Sequence, residues 1–148
     1  MKKMLLLAGA ALLAAVPARA QTAADSAAIR AAALDYIEGW YTADAARVAR
    51  ALHPELAKRI VRTDAQSGVS DIRNMGASEL VMSARRGGGR QTPAEQQRKE
   101  VRIMEIYEGI ASVRVDAATW VDFMHVGKVD GQWRIINVLW ANRPAAPQ

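Results

Sequence analysis

The chain has 148 residues, of which 51% are hydrophobic, 24% are charged and none is cysteine, and its formal net charge is +5. The lack of cysteine excludes disulfides, zinc–thiolate sites and a thiol nucleophile from this chain. Its length suits one domain with a single modest core.

The first 20 residues have the layout of a secretory signal. Lys2 and Lys3 precede the apolar run Leu5–Val16, and residues 18–20 read Ala-Arg-Ala, an Ala-x-Ala cleavage pattern. The apolar run is shorter than the roughly 20 residues that a permanent membrane-spanning helix needs. We therefore expect cleavage after Ala20, export to the periplasm or the medium, and no stable membrane anchor.

The predicted mature domain, residues 21–148, is less basic than the whole chain. Losing three of the 20 basic residues leaves 17 against 15 acidic residues, a net charge of +2. Nucleic-acid-binding domains carry a dense basic stripe or patch, which this balance does not provide. We expect no nucleic-acid partner.

Two helices are predicted in the first third. Apolar residues recur every three or four positions from Ile29 to Trp40, the period of an amphipathic helix, and Asp25-Ser26 offers it an N-cap. Gly39 inside this helix costs about 1 kcal/mol relative to alanine, so we expect something to pack closely against its backbone. Asp44 is expected to cap a second, short helix over residues 45–52.

The middle of the chain predicts two strands and a third helix. The strands are expected at residues 56–63 and 69–74, and the helix at residues 78–86. Gly87–Gly89 ends this helix and opens a polar segment that reaches Gln97. We interpret the glycine run as a flexible linker, because it lacks the Gly-Lys-Ser/Thr pattern of a phosphate-binding loop.

The last third predicts four antiparallel strands, at residues 99–107, 110–116, 120–129 and 132–142. Asp130-Gly131 lies between the last two, and Asp-Gly between apolar runs is a strong signal for a two-residue hairpin turn. The turn pairs Val129 with Gln132. Continued without interruption, this register pairs His125 with Ile136 and Met124 with Asn137, and Asp122 then pairs with Leu139.

This register divides the hairpin side chains between two faces. One face carries Trp120, Asp122, Met124, Val126, Trp133, Ile135, Asn137 and Leu139. The other carries Val121, Phe123, His125, Arg134, Ile136, Val138 and Trp140. Both faces are largely apolar, so one should pack on the helices and the other should be covered, most simply by a homodimer through the sheet.

The order of elements predicts an α+β fold, and its motifs resemble those of a known family. The residues that carry this resemblance are Tyr36, Gly39, Trp40, Asp44, His53-Pro54, Lys58-Arg59, Asp122-Phe123, Lys128, Asp130-Gly131, Trp133, Ile135 and Asn137. On these residues, the chain resembles the putative lumazine-binding family of the NTF2-like (SnoaL-like) superfamily from about Ile29 to Trp140. The resemblance implies an NTF2-like cone, in which N-terminal helices pack on a curved, mainly antiparallel sheet around a hollow. It implies no established reaction.

The leading functional hypothesis is that the hollow binds a small, partly aromatic ligand without a cofactor. Its expected lining is Tyr36, Trp40, Trp120, Asp122 and Asn137, with the aromatic rings for stacking and the two polar groups for orientation. Two simpler interpretations remain open. The aromatic residues can be ordinary core, and Asp122 can pair with Arg59 or another cation.

Two other functions also remain open. The first is a cofactor-free isomerase or dehydratase in which Asp122 or His53 is the general base. His125 lies on the opposite hairpin face from Asp122, so these two residues are not expected to form a dyad. The second is an interaction module that uses Phe123, Ile136, Val138 and Trp140. With two separated histidines and no Glu-x-x-His pattern, no metal site is expected.

Overall fold

The structure is a computed structural model that describes residues 18–144, with side chains from residue 23 onward. Most of the predicted signal segment, residues 1–17, lies outside the described residues. The three helices are α1 (Ala18–Thr42), α2 (Ala45–Ala51) and α3 (Ala77–Arg85), and Ala94–Gln96 forms a 3₁₀ turn. The six strands are β1 (Leu52–Thr63), β2 (Ser70–Met75), β3 (Glu100–Tyr107), β4 (Ile110–Asp116), β5 (Trp120–Val129) and β6 (Gln132–Asn142).

The six strands form one sheet in the order β2-β1-β6-β5-β4-β3. The β1–β6 pair is parallel and the other four pairs are antiparallel. The helices pack on one face of this sheet, and the core between the two layers includes Ile29, Ile37, Val113, Met124 and Ile135. The predicted α+β cone, with helices on a mainly antiparallel sheet, is confirmed.

The start of α1 was predicted wrongly. The helix begins by Ala18, so Asp25 lies inside it and is not an N-cap. The Asp25 carboxylate instead accepts hydrogen bonds from Lys128 Nζ at 2.9 Å and from Trp133 Nε1 at 3.0 Å. A residue that the sequence offers as a helix cap therefore joins the helix to the β5–β6 hairpin.

The contact between α1 and α2 confirms two predictions. A Cβ atom on Gly39 would lie 2.9 Å from Val48 Cγ2, so α2 approaches the α1 backbone more closely than a larger residue would allow. Asp44 caps α2, because its carboxylate accepts the backbone N–H of Arg47 at 2.9 Å. The low helix propensity of glycine is offset here by close packing.

The hairpin register follows the prediction for four pairs and then changes. Val129 faces Gln132 and Val126 faces Ile135, but His125 faces Asn137, because Ile136 is an extra residue in a β-bulge. Ile136 lies over Gly127, where a Cβ atom would be 2.5 Å from Ile136 Cδ1.

A one-residue shift exchanges the faces of every later side chain in β6. Asn137 and Leu139 therefore lie on the outer face of the sheet, and Val138 and Trp140 face the helices. This corrects both the predicted ligand-binding position of Asn137 and the predicted contact face that included Val138 and Trp140.

Candidate functional site

A hollow of about 130 Å³ lies between α1, α3 and the inner face of the sheet. Aromatic and aliphatic side chains form most of its wall. The lining residues are Tyr36, Trp40, Lys58, Met75, Leu80, Trp120 and Trp140. Three of the four tryptophans thus surround one small space.

Helix spacing and strand pairing bring these residues together. Tyr36 and Trp40 are four residues apart, so both lie on the same face of α1. Lys58 on β1 pairs with Val138, and Trp140 on β6 pairs with Asp122. Paired residues point to the same face of a sheet, so Lys58, Asp122 and Trp140 all point toward α1.

Asp122 is fully buried behind the hollow and is surrounded by donors. Its Oδ2 accepts hydrogen bonds from the Tyr36 hydroxyl at 3.0 Å and from Trp120 Nε1 at 2.7 Å, and its Oδ1 forms an ion pair with Lys58 Nζ. Lys58 Nζ also donates to the Tyr36 hydroxyl at 3.0 Å. These four side chains form one connected polar network in an otherwise apolar interior.

Burial changes the acid–base properties of this network. It lowers the pKa of Lys58 from its usual value, although the Asp122 carboxylate opposes the shift. Burial and the negative charge of Asp122 raise the pKa of Tyr36 well above its usual value. The Tyr36 hydroxyl therefore remains protonated and can donate to Asp122.

Lys58 also contacts the aromatic wall of the hollow. Its Nζ lies 4.9 Å from the centroid of the Trp140 ring and 5.6 Å from that of the Tyr36 ring. Both distances lie within the range of cation–π attraction, which partly compensates the ammonium for its lost hydration. Lys58 is therefore held by a carboxylate, a hydroxyl and two aromatic rings.

The glycine run after α3 packs against Trp40, so its interpretation as a free linker was wrong. The Gly89 N–H donates to the Trp40 carbonyl oxygen at 3.0 Å, and a Cβ atom on Gly89 would lie 2.5 Å from Trp40 Cδ1. Trp40 also meets Trp120 edge to face, with ring centroids 6.3 Å apart. The run therefore fixes the position of one wall of the hollow.

The structure brings together only some of the predicted site residues. Tyr36, Trp40 and Trp120 line the hollow, and Asp122 lies behind it with both carboxylate oxygens occupied. Asn137 is exposed on the outer face of the sheet. The cation that pairs with Asp122 is Lys58 and not Arg59.

His53 does not lie near Asp122. It precedes Lys58 by five residues on β1, about 16 Å along an extended strand. Its Nδ1 accepts the Glu55 N–H at 3.2 Å, and it borders a separate surface depression with Pro54 and Arg134. A His53–Asp122 pair is not formed.

Sequence reasoning missed Lys58 and Trp140 as members of the site. A signal for Lys58 was present, because Leu56 and Ile60, two positions away on either side, are apolar and share its face of the strand. Trp140 was assigned to the outer face because the hairpin register was continued without interruption past Gly127, although a glycine inside a strand can mark a bulge.

Within residues 18–144, no group of three or more histidine, aspartate or glutamate side chains is placed to hold a metal ion. Among the helices in this range, none has the length and apolar character needed to cross a membrane.

Comparisons with known proteins agree with the fold. A family model described as "Putative lumazine-binding" matches residues 24–141. No curated protein matches the sequence.

Solved structures of NTF2-like proteins are similar to this chain at low sequence identity. One from Novosphingobium aromaticivorans, with a cystatin-like fold, has a TM-score of 0.63 and 11% identity, with 93% of this chain and 94% of that chain covered. One of unknown function from Shewanella baltica has a TM-score of 0.62 and 18% identity, with 83% and 97% covered. A type 2 hexachlorocyclohexane dehydrochlorinase (LinA) has a TM-score of 0.53 and 14% identity, with 86% and 90% covered. Because the family model covers most of the chain and the fold is NTF2-like, the protein belongs to the putative lumazine-binding family of NTF2-like proteins.

Proposed function

We propose that the protein binds a small aromatic ligand, without a cofactor, in the hollow lined by Tyr36, Trp40, Trp120 and Trp140. The observation that carries this proposal is a half-open space of about 130 Å³ that is lined largely by indole and phenol rings. An apolar cavity of about 150 Å³ in another protein holds one benzene molecule. The hollow therefore suits a single ring.

Filling the hollow with protein atoms tests this proposal. Met75 lines the hollow, so Met75→Trp should occupy it and reduce the affinity for benzene or phenol at least tenfold in calorimetric titrations. Met104 is 57% exposed and does not line the hollow, so Met104→Trp is the matched control and should bind as the wild type does. Equal binding by both variants would contradict the proposed location. No binding by the wild type would contradict the function.

A cofactor-free enzyme is the second candidate. It is supported by the Asp122–Tyr36–Lys58 contact beside an apolar hollow, an environment in which enzymes hold acids and bases. This candidate rests on Asp122 alone, because His53 lies elsewhere. Asp122→Asn should abolish turnover of any small-ring substrate found by screening. Retained turnover would exclude Asp122 as the base.

The outer face of the sheet supports a proposal about assembly. Ile110, Phe123 and Leu139 are 62%, 49% and 55% exposed, and all three lie on this face. We propose that two copies pair through it. Light scattering should show a wild-type dimer and a Leu139→Lys monomer. Val69→Lys, at a position 66% exposed in the β1–β2 turn, should leave the dimer intact. A dimeric Leu139→Lys variant would contradict this interface.

We also propose that the chain is exported and cleaved after Ala20. The support is the basic start, the short apolar run and the Ala-x-Ala pattern of residues 1–20. Expression of the full chain in a Gram-negative host should yield a periplasmic protein whose intact mass corresponds to residues 21–148. An uncleaved product in the cytoplasm would contradict the proposal.

A further inference from the structure

Lys58 has donor capacity beyond the contacts that hold it. A protonated lysine has three N–H donors. One is directed to Asp122 Oδ1 and one to the Tyr36 hydroxyl. No nitrogen, oxygen or sulfur acceptor on the described residues takes the third, and Lys58 is part of the wall of the hollow.

The other polar groups near the hollow either already have hydrogen-bond partners or can only donate. Asp122 is fully buried, and three donors occupy its two oxygens. The Tyr36 hydroxyl already donates to Asp122 and accepts from Lys58. Trp40 and Trp140 carry only N–H donors, and the thioether of Met75 is a weak acceptor. The lining residues can therefore donate a hydrogen bond to an acceptor on a ligand, but they provide almost no acceptor for the ligand's own donors.

The charge of the network also restricts the ligand. The Lys58 ammonium and the Asp122 carboxylate balance each other within the buried cluster. An anionic ligand would add an unpaired negative charge to an apolar space, and a cationic ligand would lie against Lys58. Either arrangement carries a large desolvation cost without a matching partner.

Building on the ligand-binding function proposed above, we propose that the hollow selects uncharged single-ring ligands with a hydrogen-bond acceptor at the ring edge. Lys58 Nζ donates its third N–H to that acceptor. The rings of Trp40, Trp120 and Trp140 supply the apolar contact, which is the same for rings with and without an acceptor. Lys58 is therefore the group that distinguishes between ligands of equal size.

Benzene and pyridine form a matched pair of probes, because they have nearly the same shape and only pyridine has an acceptor. The double variant Lys58→Met/Asp122→Asn removes both charges, replaces each side chain with one of similar size and leaves no unpaired ion. NMR titrations at pH 8, where pyridine is uncharged, give the affinities. The ratio of pyridine to benzene affinity should be about tenfold higher in the wild type than in the double variant, the contribution expected of a hydrogen bond from a charged donor. Benzoate should bind the wild type at least tenfold more weakly than pyridine.

The possible outcomes separate this inference from the function on which it rests. If both rings bind and their affinity ratio is the same in both proteins, Lys58 does not select the ligand, although ring binding stands. If benzoate binds as well as pyridine, the neutral-ligand requirement is wrong. If neither ring binds the wild type, both proposals fail.

A measurement on the wild type alone covers the case of a double variant that does not fold. The ¹⁵N chemical shift of bound labelled pyridine should move in the direction of hydrogen bonding relative to pyridine in an apolar solvent. A bound shift equal to that in the apolar solvent would overturn the role of Lys58.

Discussion

Replacing Lys58 with methionine removes the ammonium and leaves the Asp122 carboxylate buried without its cation. Lys58 is 6% exposed and Asp122 is 0% exposed, so water does not replace the lost partner. Removing one member of a buried ion pair typically costs about 3–5 kcal/mol. Because Tyr36 and Trp120 still donate to Asp122, we expect a loss near the lower end, about 3 kcal/mol. Domains of this kind have total stabilities of about 5–15 kcal/mol, so the loss should be readily measured.

Urea unfolding followed by circular dichroism measures this loss, and a double-mutant cycle assigns it to the pair. Asp122→Asn alone should also destabilise by a few kcal/mol, because it leaves the Lys58 ammonium buried without its counter-ion. The double variant Lys58→Met/Asp122→Asn has no unpaired charge and should lose clearly less than the sum of the single variants, with a coupling energy of about 2 kcal/mol or more.

A surface ion pair provides the control for this experiment. Lys99 Nζ lies 3.1 Å from Glu38 Oε1, but the Lys99 side chain is 50% exposed. Lys99→Met should therefore cost less than about 1 kcal/mol, as exposed pairs do. If Lys58→Met costs no more than Lys99→Met, Lys58 and Asp122 do not form a buried ion pair that stabilises the fold. If the losses of the two single variants simply add, the two residues are not coupled in one connected polar network.

Three further predictions concern the glycine run, the Tyr36 hydroxyl and the ion pair of Asp116. Gly89→Ala places a methyl group against Trp40 and should destabilise the protein by about 1–3 kcal/mol. Gly109→Ala is the control and should change stability little, because the atom nearest to its added Cβ is 3.9 Å away. Equal urea midpoints for the two variants would contradict the packing of the glycine run against Trp40. Tyr36→Phe removes a hydroxyl with two buried hydrogen bonds and should cost about 1–3 kcal/mol, and a neutral result would argue against the network. Hydrogen bonds from Arg114 lower the pKa of Asp116 from its usual value, so its contribution to stability is present above the unfolded-state pKa and is lost as the pH falls through the lower folded-state pKa. Asp116→Asn should therefore lose less stability than the wild type between about pH 5 and pH 2. Parallel curves would contradict this.

Local patterns predicted much of the fold because their causes are local. The bounds predicted for the last two strands, residues 120–129 and 132–142, are those observed, because a two-residue Asp-Gly turn separates two long apolar runs. Gly39 was rightly expected to mark a close approach, since a glycine within a helix needs a compensating contact. These predictions rest on backbone geometry that a few neighbouring residues determine.

The site was predicted less completely because it depends on contacts between distant parts of the chain. The bulge at Ile136 exchanges the faces of Asn137 and Trp140, and its local signal is Gly127, the glycine inside β5 over which Ile136 lies. The partner of Asp122 lies 64 residues earlier in the chain, where β1 joins the sheet beside β6. A glycine inside a strand is compatible with a bulge or with a close backbone approach, so Gly127 alone does not determine the register, and the parallel β1–β6 pairing has no local sequence signal.

The central claim is that the space between Trp40, Trp120 and Trp140 accepts a single ring. A crystal of the mature protein equilibrated with bromobenzene tests it most directly, because anomalous scattering locates the bromine without ambiguity. We predict one bromine peak within the hollow lined by these tryptophans and Lys58. A hollow filled by the surrounding side chains, with bromine peaks only on the outer face of the sheet, would contradict the account.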